Sequence, residues 1–166
     1  MAKRIGGFGY VLFPFFKLLD VAGPLDAPSL LSINYTMNLS LIAATLDPVT
    51  TRLTIPTLGN STSAEIDVLF VPGVQGTRAI ASALGSAITF MRDWYPGYLI
   101  TVCTALGPNV RWKAEARWAE YGNIFTSSGV GAGIDATISW FSEVYWNQTA
   151  QTLTEWMDDP FTALID

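Results

Sequence analysis

Apolar positions along the chain gather in short runs, and most runs end at a proline, a glycine or a charge. Tyr10–Phe13 is one such run, stopped by Pro14, and it reads as a buried strand. Leu18–Leu31 reads as a short helix with Pro24 near its first turn, where proline is tolerated. Ile33–Thr45 is rich in β-branched and apolar residues and predicts a strand, and Thr50–Ile55 predicts another short one. Asp67–Val71 is the clearest buried strand, acidic at its entrance and ended by Pro72-Gly73. Over Thr77–Trp94 the residues Ile80, Leu84, Ala87, Ile88, Met91 and Trp94 fall on one helical stripe, capped by Thr77 and ended by Pro96-Gly97. Tyr98–Val102 is a second continuous apolar strand, and it runs into Cys103. Val110–Trp118 and Asn123–Thr126 predict two strands around a Tyr121-Gly122 turn. Ser127-Ser128-Gly129 then opens a helix over Val130–Tyr145, and a last polar helix, Gln148–Met157, is stopped by Pro160. Strand and helix in alternation predict an α/β fold, a mostly parallel sheet with helices on both faces, in a single domain over 1–166.

Composition sharpens this picture. The chain has 166 residues, of which 50% are hydrophobic and 14% charged. That length supports one core, and that balance excludes a disordered chain. The net charge is −5 and the Lys and Arg residues are scattered, so no basic face for nucleic acid is expected. There is no histidine, which removes imidazole acid/base chemistry and His-containing metal sites. With a single cysteine besides, neither a metal nor another cofactor is expected. Cys103 cannot form an internal disulfide, so a reducing, cytoplasmic compartment is the simplest expectation. The apolar stretch Ile5–Phe16 is too short to span a bilayer, so no membrane partner is expected, although Lys3 and Arg4 before it give a faint signal-peptide look.

In an open parallel sheet, ligands bind outside the carboxyl ends of the strands. Asp20, Pro72-Gly73 and Cys103 all fall at such ends. A thiol, a backbone glycine and a carboxyl group there make a nucleophilic site: the thiolate attacks, a glycine amide steadies the developing anion, and the carboxyl moves a proton. The plainer alternative is a core cysteine, an exposed helix-entry aspartate and an ordinary turn. Gly129–Gly133 lacks the Lys-Ser/Thr of a phosphate loop, and the tryptophans of the C-terminal third read as packing.

Several blocks together resemble the DJ-1/PfpI superfamily: Phe13-Pro14 with Leu19-Asp20-Val21-Ala22-Gly23-Pro24; Asp67–Gly73; Thr101-Val102-Cys103-Thr104; Ala116-Arg117-Trp118; Gly122-Asn123-Ile124; Thr126–Val130; and Ala132-Gly133-Ile134-Asp135. The Asp-x-x-Gly-Pro form of the first block is most similar to the isonitrile hydratase branch. The resemblance implies a flavodoxin-like α/β/α sandwich, usually a homodimer, acting on a small-molecule substrate. It implies Cys103 as nucleophile at a strand-to-helix elbow and Asp20 as the acidic residue against that thiol. Gly73 and Val74 would lie in the loop whose amides face the site, and Thr104 follows the nucleophile. In that branch, water adds to an isocyanide carbon and yields an N-substituted formamide. A catalytically impaired homolog with a binding role is the alternative.

The chain departs from the family pattern at two places, the first with a structural consequence of its own. After Cys103-Thr104 the family continues into a long elbow helix, a strand and a helix. Here Ala105-Leu106-Gly107-Pro108-Asn109-Val110 follows at once, as if that helix-strand-helix segment were skipped. Pro108 cannot continue a helix begun at Cys103 without clashing with the Thr104 carbonyl, at about 3 kcal/mol or more. With no long helix pointing at the sulfur, the thiol is expected to titrate near the free value of about 8.5. Val74 stands where many relatives carry glycine, and a β-branched side chain resists positive φ. Loss of covering helices would also uncover apolar surface and favour association.

Overall fold

The computed structural model describes residues 6–50, 56–57, 66–73, 81–93, 97–102, 115–145 and 147–157. Its elements are β1 (Gly7–Val11), α1 (Leu18–Leu31), β2 (Asn38–Ile42), β3 (Val49–Thr50), β4 (Pro56–Thr57), β5 (Val68–Val71), α2 (Ala81–Asp93), β6 (Tyr98–Val102), β7 (Trp118–Tyr121), β8 (Ile124–Ser127), α3 (Val130–Tyr145) and α4 (Asn147–Met157). Six strands form one sheet in the order β2-β1-β5-β6-β8-β7, and β3 pairs with β4 in a small separate ladder. All neighbours in the main sheet run parallel except β7, which is antiparallel to β8. The α/β class and the mostly parallel sheet expected from the sequence are what the molecule has.

The unbroken apolar strands are central because both of their faces are covered. Every residue of β1 is buried, as are Val68, Leu69 and Phe70 of β5. Alternation sends Phe8 and Tyr10 to one face and Val11 to the other. On the first face Phe8 packs against Trp140 and Phe141 of α3, and Tyr10 stacks on Phe70 with ring centroids 4.4 Å apart. Helices α1, α3 and α4 pack together there. On the opposite face Ala87 and Phe90 of α2 stand over Val11 and Ile42. The amino ends are tied by Asp67, whose Oδ2 accepts the N–H groups of Gly6 and Gly7 at 3.0 Å each.

Some expected boundaries shift. The strand expected over Ile33–Thr45 is only Asn38–Ile42. The chain turns first, because Ser32, Asn34 and Tyr35 donate back to carbonyls of Pro28 and Leu31 and close the end of α1. Helix α1 has the expected bounds, but Pro24 sits in its interior rather than near its first turn, as does Pro28. Of the strand expected over Val110–Trp118, residues 110–114 lie outside the described residues and 115–117 are not strand; β7 begins at Trp118, where the Arg117 carbonyl is engaged by the N–H of Ser128. The turn from β7 to β8 is Gly122-Asn123, with Gly122 at φ 59°, the left-handed geometry that tight hairpins need. Thr77 as helix cap, most of Thr50–Ile55 and the proposed missing segment after Cys103 fall outside the described residues. Among the described residues no helix is long and apolar enough to cross a membrane.

Candidate functional site

The chain leaves β1, crosses through α1 to β2 on one side, and reaches β5 on the other side of β1. The carboxyl ends of β1 and β5 therefore flank the point where strand order reverses, the usual position for a site in such a sheet. Two sequence-predicted residues meet there. Asp20 lies in the first turn of α1, and Gly73 lies two residues beyond β5. The Gly73 N–H donates to Asp20 Oδ2 at 3.0 Å.

Asp20 is 3% exposed, so it is not the solvated helix-entry carboxylate of the plainer reading. Its position in the first turn suits an acidic group, because the helix dipole favours negative charge there. Burial works against that charge and holds the carboxyl above its usual range, although the Lys17 ammonium and the Gly73 amide pull in the other direction. The two oxygens differ. Oδ2 is anchored by Gly73, whereas Oδ1 is buried and makes no hydrogen bond among the described residues. Burial thus favours the protonated form more than it would for a solvated aspartate, and Oδ1 is the oxygen left to bear that proton among the described residues. The Gly73 amide is thereby engaged by Asp20 rather than directed at a developing anion.

Cys103, Val74 and Thr104 lie outside the described residues. Strand β6, which leads to Cys103, is described through Val102, and its Thr101 stands level with Val71 of β5. Among the described residues no three acidic or thiol side chains gather in a way that could hold a metal ion.

The loop feeding Asp20 has its own signature. Phe16 N–H donates to the Phe13 carbonyl at 3.2 Å, and between them Pro14 is followed by Phe15 at φ 68°. Proline then a positive φ is the type II pattern, in which glycine normally holds the second position. Phe15 occupies it with a half-exposed ring. Sequence reasoning did not single out this residue, although proline followed by an aromatic pair at a strand end was the available signal.

A second arrangement was also unassigned from sequence. The Nε and Nη2 groups of Arg117 both donate to Oδ2 of buried Asp135, the former at 2.8 Å. The Arg117 carbonyl also accepts the Ser128 N–H at 2.9 Å and its hydroxyl at 3.0 Å. This clamp fixes the start of β7 to α3, and it joins two of the blocks that carry the family resemblance.

No family model matches the chain. It is 28% identical over 180 residues to isonitrile hydratase of Pseudomonas putida, a match that covers 91% of this chain and 76% of that protein. Among solved structures it is similar to a ThiJ/PfpI family protein from Pseudomonas syringae, with a TM-score of 0.78 at 20% identity, covering 98% of this chain and 78% of the other. Drosophila melanogaster DJ-1beta matches with a TM-score of 0.74 at 13% identity, covering 94% of this chain and 99% of the other. A DJ-1 superfamily protein from Salmonella typhimurium gives 0.74 at 18% identity, covering 94% and 100%. The structural matches establish an α/β fold shared with DJ-1/PfpI proteins, and in sequence the chain is similar to isonitrile hydratase.

Proposed function

We propose that the protein is a cysteine-dependent hydratase acting on a small isocyanide, with Cys103 as nucleophile and Asp20 as its acid/base partner. The observation that carries this reading is the Asp20 carboxyl: buried at the switch point, anchored through Oδ2 by Gly73, and with Oδ1 unpartnered among the described residues. The similarity to isonitrile hydratase supports the choice of substrate class. In the proposed cycle the Cys103 thiolate bonds to the isocyanide carbon while a proton from Asp20 Oδ1 reaches the same carbon, leaving a thioimidate, R–N=CH–S–Cys103, and an Asp20 carboxylate. Water then adds to that carbon, one of its protons going to the nitrogen and the other returning to Asp20 as the carbon–sulfur bond breaks, so that the thiolate and the formamide R–NH–CHO are released. The balance is one isocyanide plus one water. A free thiol is best kept in a reducing compartment, which supports a cytoplasmic location. The exposed apolar residues Phe15, Leu18 and Leu19 beside the site support a homodimer.

A second reading, an impaired homolog, is favoured by Gly107-Pro108 so soon after Cys103. The hydratase match spans 180 positions, more than the 166 residues of this chain, which supports a skipped segment. Formamide production from a simple isocyanide decides between the two. The enzyme reading expects turnover that Cys103→Ala abolishes. It also expects iodoacetamide to label the native thiol with a transition below pH 8. No turnover, with labelling only on unfolding, establishes the impaired homolog instead.

A further inference from the structure

A separate cleft of about 360 Å³ opens at the carboxyl ends of β1 and β2, on the face that α2 covers. Neither Asp20 nor Gly73 lines it. Its floor is apolar and buried, formed by Val11, Ile42 and Ala87, with Phe90 alongside. Its rim is the exposed segment 44–48 that follows β2. Among the described residues, Asp47 on that rim is the only charged one lining the cleft. Its carboxylate is positioned locally: the Thr45 hydroxyl donates to Asp47 Oδ2 at 3.1 Å and accepts the Asp47 N–H at 3.2 Å. The rim is also tied to the loop after β1, because the Phe15 N–H donates to the Thr50 carbonyl at 3.0 Å. An apolar floor, a carboxylate held at the mouth and no cation among the described lining residues point to one ligand chemistry. The volume is within the range of small-molecule sites.

We propose that this cleft binds a small organic ammonium ion, its hydrocarbon body against Val11, Ile42 and Ala87 and its charged head at Asp47. The site goes beyond the thiol chemistry proposed above and does not depend on it. Protein amide shifts followed by NMR during titration with cyclohexylamine, cyclohexanol and cyclohexanecarboxylate test it. Cyclohexylamine should give saturable shifts at Val11, Ile42 and Ala87 and bind about two- to five-fold tighter than cyclohexanol, the range an exposed ion pair supplies. The carboxylate should bind weakest. Asp47→Asn keeps the acceptor for Thr45 at an exposed position. It should remove the preference for the amine and leave cyclohexanol unchanged. Ala87→Leu should close the floor and eliminate binding of both. Absence of saturable shifts at those amides overturns the proposal, as does a carboxylate that binds as well as the amine or a preference that survives Asp47→Asn.

Discussion

At the scale of single residues, Phe15 and Asp20 carry opposite kinds of cost. Phe15 holds φ 68° in a turn where glycine is unstrained, and its ring is 51% exposed, so little burial offsets the backbone term. A left-handed conformation costs an L-residue about 1–2 kcal/mol. Phe15→Ala keeps that cost and Phe15→Gly removes it. The glycine variant should therefore be the more stable of the two by about 1 kcal/mol in urea unfolding, after allowing for glycine's freer unfolded state. Asp20 is destabilising in its charged form. Its folded pKa is raised by burial, so the native state binds the proton more tightly than the unfolded state does. Stability therefore falls as pH rises from the ordinary carboxylate value through the raised one, and the loss persists above it. Asp20→Asn removes the titrating group, so it should flatten that slope and be more stable than the parent at neutral pH. In the same variant hydration should drop by about 10²–10⁴-fold, the usual worth of a positioned acid. A variant that gains stability while losing activity separates function from fold at this position. Proton donation by Asp20, as proposed, predicts that turnover declines as pH rises through its raised pKa.

At the scale of elements, the central strands show which features a sequence displays directly. β5 and β6 stand out as uninterrupted apolar runs because burial on both faces leaves no polar alternation to hide them. β1 hides a packing constraint that periodicity does not reveal. A Cβ at Gly9 would lie 2.9 Å from Ile42 Cδ1, 3.0 Å from Ile66 Cγ2 and 3.1 Å from Leu69 Cδ1, so three side chains, from β2 and from the stretch that enters β5, close over that glycine. Gly9→Ala should cost about 1–3 kcal/mol in chemical denaturation, as overpacked cores do. In α1 the bounds were legible but the tolerance of two interior prolines was not. Pro24 has no N–H to offer the Asp20 carbonyl, and tertiary burial against α3 outweighs the missing bond. The turn at 32–37 was masked by β-branched composition, since propensity does not register the back-bonding that ends a helix. The Asp20–Gly73 contact spans 53 positions and was reached through strand-end logic and the family blocks. The Arg117–Asp135 clamp spans 18 positions, and only the β7–β8 hairpin folded against α3 makes the two neighbours.

At the scale of the whole molecule, the uneven cover of apolar surface is the feature with a consequence. Leu18 is 43% and Leu19 59% exposed on the first turn of α1, and Phe15 precedes them in the loop. Along the helix the next exposed position at that spacing is Ala22, so the outward stripe of α1 is apolar from residue 15 to 22 except for Lys17. A stripe of this kind beside a buried acid is costly in water and becomes favourable when a second copy covers it, since burial returns about 25 cal/mol per Å². A symmetric dimer would place the same stripe on both sides of the interface. Leu19→Glu is the discriminating change. The side chain is exposed in the single chain, so the substitution should leave unfolding within about 0.5 kcal/mol of the parent. In the dimer it would bring two carboxylates into an apolar seam. Sedimentation velocity should show a concentration-dependent dimer for the parent and a monomer for Leu19→Glu at the same loading. A parent that stays monomeric across the range, or a Leu19→Glu protein that sediments as the parent does, would assign this stripe to another purpose and leave Asp20 to work within a single chain.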